Sequence, residues 1–143
     1  MKIVIMDGQG GRLGKLLVEE VRARLPQAQI YAFGTNTAAT ATMLKAGAHF
    51  GATGENPVVR GVADADAVLG PVGIVVAHAI LGEVTPAMAE AVGHVNSVDH
   101  LRQVYGELNM VHGVVMGNHS LETGKHDYPA DLFHYCVGLD SGI

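Results

Sequence analysis

Cysteine is nearly absent from this chain, and that scarcity narrows its chemistry at once. A lone Cys136 has no intrachain disulfide partner, and no C-x-x-C spacing offers a thiolate metal site. Basic residues are scarce too: 9 Lys plus Arg against 14 Asp plus Glu leave a formal charge of −5. That balance lacks the footprint of a nucleic-acid binder, and Lys15, Arg22 and Arg24 stand among Glu19 and Glu20 as on a solvated helix face. Long apolar runs are missing as well. The nearest, residues 67–81, is broken by Gly70, Pro71, Gly73 and His78 and is too short to span a bilayer. The apolar stretch at the start ends at Asp7, which suits a strand and not a secretory signal. These absences predict a cytoplasmic protein with neither membrane nor nucleic acid as partner.

Two catalytic motifs are absent. There is no G-x-S-x-G nucleophile elbow, and Gly14-Lys15 is followed by Leu16, so the chain lacks a Walker phosphate loop.

What is present begins at the first residues. The apolar, β-branched run of residues 2–7 shows no alternation, the mark of a strand buried on both faces. It enters Gly8-Gln9-Gly10-Gly11-Arg12-Leu13-Gly14, and a helical period starts as the glycines end. This is the layout of a phosphate-cradling strand-turn-helix. Gly8 or Gly10 can supply the positive φ that a sharp turn needs. Gly11 allows close approach of a phosphate to the backbone, and Gly14 allows the helix to pack tightly on the strand. The G-x-x-G-x-x-G spacing of Gly8, Gly11 and Gly14 is similar to that of short-chain dehydrogenases. A tight glycine turn with no ligand is the plainer alternative.

The rest of the chain alternates in the same way. Leu16, Leu17, Val21 and Leu25 recur at helical spacing before Pro26, and a second strand is expected at 30–33. A small-residue helix at 38–45 follows, with N-cap candidates at 34–37 and Gly47 past its end. Residues 48–51 suit a brief third strand. Asn56 then caps a short helix begun by Pro57, and a fourth strand spans 65–69. Residues 72–81 fit either a buried strand or a buried helix ended by Gly82. Thr85 and Pro86 open a helix carrying Met88, Ala89, Ala91, Val92 and Val95. Residues 110–116 are a candidate last strand. With 143 residues, 48% of them apolar, the chain can bury a core on the order of two-thirds of its unfolded surface. The expectation is a single Rossmann-like, doubly wound, mostly parallel sheet in a three-layer αβα domain over 1–143, with 98–143 a poorly defined C-terminal segment.

In such a sheet ligands bind beyond the carboxyl ends of the strands. The loops expected there, 7–11, 34–37, 53–56 and 70–73, are all dominated by glycine and small polar residues. Four converging loops make a stronger case for a pocket than the first alone.

The runs DGQGGRLGKLLVE, AFGTNTAATATMLKAGA, GATGENPVV, ADAVLGPVGIV and LGEVTPAMAEAVG occur in that order. Over about residues 1–97 the chain thereby resembles a bacterial family catalogued as domain of unknown function number 3842. The resemblance implies the fold and the loop set, and no reaction. Past residue 97 the chain departs from the family pattern: 99–109 is polar where an apolar strand is expected, and Cys136 lies far downstream.

The candidate ligand-binding residues are Gly8, Gln9, Gly10, Gly11, Arg12, Thr35, Asn36, Thr53, Gly54, Glu55 and Asn56. A dinucleotide site should present an acid for the adenosine ribose at the end of the second strand, and Thr35-Asn36 stands there instead. Neutral groups at that point disfavour NAD and allow a phosphate, with Arg12 near enough to help, so NADP or another nucleotide is the expected ligand. Alternatively, Thr35 and Thr37 only cap a helix. Asn56 and Glu55 have the same double reading, as ligand groups or as the start of a helix. Asp7, ending a buried strand, is expected to hold the glycine loop through backbone N–H groups and not to transfer protons. Glu55, His78 and Glu83 are the candidate catalytic residues, although His78 in an apolar run also reads as a core histidine. Six of the eight histidines lie from His94 onward, at 94, 100, 112, 119, 126 and 134. None has the spacing or company of a zinc site, so no metal is expected and a metal-binding protein is the least favoured reading. An NADP-dependent reductase is the first enzymatic expectation. A cleft would then need a second subunit or partner, which keeps a non-enzymatic sensing or assembly module as the alternative.

Overall fold

A computed structural model of the chain describes residues 1–94 and the backbone of 114–116. Chain order is β1 Lys2–Asp7, α1 Arg12–Arg24, β2 Gln29–Gly34, α2 Thr37–Lys45, β3 Phe50–Thr53, α3 Glu55–Gly61, β4 Ala67–Gly70, a 3-10 turn at Val72–Val75, α4 Pro86–Gly93 and β5 Val114–Met116. The sheet order is β3-β2-β1-β4-β5. β1 to β4 are parallel, and β5 runs antiparallel beside β4. This is the Rossmann-like, three-layer arrangement that the alternation predicts.

β1 shows why its sequence has no polar alternation. Ile3 and Ile5 pack with Leu17, Val18, Val21 and Met43 of α1 and α2. Val4 and Met6 face the other way, into a second core with Val58 of α3 and Met88 and Val92 of α4. All four β1 side chains are removed from water, each contributing roughly 1.5–3 kcal/mol. In α1 the buried stripe is Gly14, Leu17, Val18 and Val21, with Leu25 at the C-cap. Leu16, expected on that face, is 56% exposed. The helical period places Val18 inward in its stead.

Four local expectations are corrected. β3 starts at Phe50 and not at residue 48, because the chain is still closing the end of α2 there: Gly47 has φ +113 and the Ala48 N–H donates to the Met43 carbonyl. α3 begins at Glu55 with Gly54 at the N-cap, so Asn56 lies inside the first turn and does not cap it. α2 is capped by Asn36, whose Oδ1 accepts from the Ala39 N–H at 2.8 Å, leaving neither Thr35 nor Thr37 that role. Residues 72–81 form neither strand nor α-helix. A segment directly following β4 cannot pair parallel to it without a crossover, and β5 occupies that edge. Only Ile74 of the 3-10 turn is buried. Residues 76–84 then fold on themselves through bonds such as His78 N–H to the Val84 carbonyl, 2.7 Å, and Gly82 N–H to the His78 carbonyl, 3.0 Å.

α4 follows expectation: the Thr85 hydroxyl accepts from the Met88 N–H at 3.2 Å and Pro86 fills the first position. Of the candidate last strand, residues 114–116 are extended, and 110–113 lie outside the described residues. No helix among the described residues is long and apolar enough to cross a membrane.

Candidate functional site

The register brings the strand ends level. Asp7 pairs with Gly34 and Gly34 with Thr53, so the loops after β1, β2 and β3 leave from one edge of the sheet. The chain runs outward from β1 through β2 to β3 and then returns past β1 to β4, so the strand order reverses at β1. In open α/β sheets such a switch point, beyond the carboxyl end of β1, is where ligands bind.

Asp7 holds the glycine loop, as its position at a buried strand end predicts. The residue is 6% exposed, and its carboxylate accepts from the Gly8 N–H at 2.8 Å and the Gly14 N–H at 2.7 Å. Gly14 is the third residue of α1, and the N-cap residue, Gly11, has no side chain to satisfy it. Asp7 therefore caps α1 from the strand that precedes it. Burial pushes its carboxyl above the ordinary carboxylate value; the Gly14 and Gly8 bonds pull the other way, and the negative charge of Glu83 adds to the rise.

The positive φ angles fall differently from the expectation that Gly8 or Gly10 carries them. They belong to Gln9, at +51°, and Gly11, at +71°. At Gly11 a side chain would also meet the Ala39 backbone at 2.9 Å. Gly8 serves close approach instead: a Cβ there would stand 2.5 Å from Glu83 Oε2 and 2.7 Å from Thr35 Oγ1. Gly14 packs against Met43 and Asp7, as its placement one turn into the helix predicts.

Glu83 is the residue whose place no spacing announces. Its Oε2 accepts from the Gln9 N–H at 2.8 Å, the Thr35 hydroxyl at 2.5 Å and Asn36 Nδ2 at 3.2 Å. Its Oε1 has only Gln9 Nε2, at 3.5 Å. The Thr35 hydroxyl and the Gln9 N–H hold the Glu83 carboxyl below its ordinary value, so it is ionised at neutral pH. Asn36 latches the two loops together, since Nδ2 also donates to the Gln9 carbonyl at 2.9 Å. An acid thus stands beside the end of β2, where the sequence around Thr35 shows none.

The other candidates lie around this centre. Arg12 is exposed at the first position of α1, and Gly10 is exposed at the tip of the loop. The Thr53 hydroxyl pairs with that of Thr40 at 2.7 Å, and the Gly54 N–H donates to the Gly34 carbonyl at 2.9 Å. Glu55 and Asn56 are exposed in the first turn of α3. Among the described residues no hydrogen bond joins residues 53–56 to the glycine loop. His78 is exposed with φ +68°, not a core histidine, because the chain turns outward there. Thr40 is buried and ties α2 to β3 through the Thr53 hydroxyl and the Ala52 carbonyl. Its only signal was a β-branched polar residue within an alanine-rich helix.

No group of three or more potential metal ligands occurs among the described residues; His100, His112, His119, His126, His134 and Cys136 lie outside them. A separate open groove of about 800 Å³ lies along β2, β3 and α3, lined by Tyr31, Phe33, Phe50 and Arg60, and shares no residue with the glycine loop.

A family model described as Domain of unknown function (DUF3842) matches residues 2–122, extending past residue 97 where the motif resemblance stops. No curated protein and no solved structure matches the chain.

Proposed function

The chain belongs to the family described as a domain of unknown function (DUF3842), and from the chemistry of its site we propose that it binds a nucleotide or another phosphate-bearing small molecule at the carboxyl edge of the sheet. One observation carries this reading: the glycine loop is pinned at both ends by Asp7, while a side chain built at Gly10, between them, would meet nothing within 4 Å. The Gly8, Gln9, Gly11 and Gly14 N–H groups are already engaged within the fold, so what this rigid loop offers an anion is the exposed backbone at its Gly10 tip and the positive end of the α1 dipole. Arg12, exposed at the first helical position, adds a full positive charge. NADP, NAD, ATP and FMN are the candidate ligands, and a reductase using a nicotinamide cofactor is the enzymatic form of the proposal.

A second reading, a sensing or assembly module, draws on the loop that carries Glu83. Leu81 is 90% exposed and Val76 52% exposed, apolar side chains on the segment leading to Glu83 that a partner or a second copy could cover.

Thermal unfolding in the presence of each of the four nucleotides tests the binding. A true ligand at a hundredfold excess over its Kd adds about 2.7 kcal/mol, or several degrees of Tm. Sedimentation of the same mixtures reads the module: a nucleotide-dependent change in mass favours it. No Tm shift with any of the four overturns the nucleotide proposal.

A further inference from the structure

We infer that Glu83 selects a nucleotide with a free ribose 2′,3′-diol and rejects one carrying a 2′-phosphate. This rests on the nucleotide reading above and narrows its ligand class. The residue stands against the β1 and β2 loops, where Gln9, Thr35 and Asn36 all donate to its Oε2. Those three bonds orient the carboxylate and leave the second oxygen nearly uncommitted, with one donor at 3.5 Å. A carboxylate has acceptor capacity for about four hydrogen bonds and no donor of its own. The hydroxyls of a vicinal diol supply the donors that this oxygen lacks, whereas a phosphate supplies only acceptors and a charge of the same sign.

The acid is also held from behind. The Glu83 N–H donates to the Ile80 carbonyl at 3.1 Å, and His78, Ile80 and Leu81 adopt φ of +68°, +54° and +54°. Non-glycine residues persist in that region only where the surrounding structure over-determines them, and such positions cluster at ligand sites. Bonding of this kind orients the carboxylate before a ligand arrives. Gly8 then has its explanation, since any side chain there would collide with Glu83 Oε2.

The assay compares ligand pairs on the whole chain by calorimetry: NAD with NADP, and ATP with 2′,3′-dideoxy-ATP. A site built to bond a hydroxyl rejects analogues lacking it because its own polar group is left unpaired. The diol member of each pair is expected to bind at least about tenfold more tightly, and Glu83→Gln to shrink the NAD preference to within about threefold. Equal or tighter binding of NADP by the wild-type chain overturns the inference, and so does an unchanged preference in Glu83→Gln. The wild-type pairs alone decide if that variant does not fold. Nucleotides that bind without regard to the diol refute this inference and leave the nucleotide reading standing; no binding by any of them refutes both.

Discussion

Asp7→Ala tests whether one buried carboxylate organises the loop on which the site depends. The substitution leaves the Gly8 and Gly14 N–H groups without the acceptor that they have at 2.8 and 2.7 Å. An orphaned buried donor costs about 1–3 kcal/mol, so two set an upper range of roughly 2–6 kcal/mol. Against this stands the relief of an ionised group taken out of water, and the upward displacement of the Asp7 carboxyl shows that burial outweighs its hydrogen bonds. The net expectation therefore lies toward the low end, about 2–3 kcal/mol. Asp7→Asn keeps one acceptor oxygen and removes the charge facing Glu83, so its cost should be about 1 kcal/mol. The order wild type, Asn, Ala is the signature. Urea unfolding followed by circular dichroism reads it, a suitable probe because the chain has no tryptophan. An Ala variant within about 0.5 kcal/mol of wild type, or an Asn variant less stable than Ala, would refute the capping role.

Two further outcomes follow from the same site. Gly8→Ala places a methyl 2.5 Å from Glu83 Oε2 and 2.7 Å from Thr35 Oγ1, two groups bonded to each other; relieving the contact breaks that bond, so stability should fall by about 1–3 kcal/mol while nucleotide binding is lost, and retained binding in a titration would contradict the close approach. The pH dependence separates the two acids. Glu83 has a folded pKa below its ordinary 4.5, so its contribution is present above that value and is lost as pH falls through the folded pKa. Asp7 has a folded pKa above 3.8, so its contribution is present below 3.8 and is lost as pH rises through the raised value. Relative to wild type, Glu83→Gln should thus lose less stability on acidification, and Asp7→Asn should gain as pH rises through the Asp7 window. Tm curves that stay parallel to wild type across the acid range would show that neither shift exists.

Much of the fold is legible along the chain because its signals are local. The unalternating run at Ile3, Val4, Ile5 and Met6 reports burial on both faces, and the Thr85-Pro86 pair marks the start of α4 by its own hydrogen bonding. The failures have equally local causes. Gly47 delays β3 by two residues through a turn that hydropathy does not register. Gly54 and not Asn56 precedes α3, because a glycine at φ +102° lets the chain enter the helix earlier. Residues 72–81 are apolar enough to mislead, since composition does not distinguish a buried element from a loop that packs Ile74 inward and leaves Val72, Val76 and Leu81 exposed.

By itself, then, the sequence determines an alternating strand-helix chain, a glycine loop at the first strand end and an aspartate placed to hold it, since each depends on residues within about two helical turns of one another. Only the tertiary structure decides that Glu83 joins that loop. Its bonds to Gln9 and Thr35 link residues 74 and 48 positions apart, and they exist because the parallel register sets the strand ends level and the chain after β4 folds back toward them. Hydrogen bonds of that kind depend on where whole strands come to rest, and nothing in the spacing of residues records it. The acid that appeared to be missing beside Thr35 is supplied from the far end of the described chain.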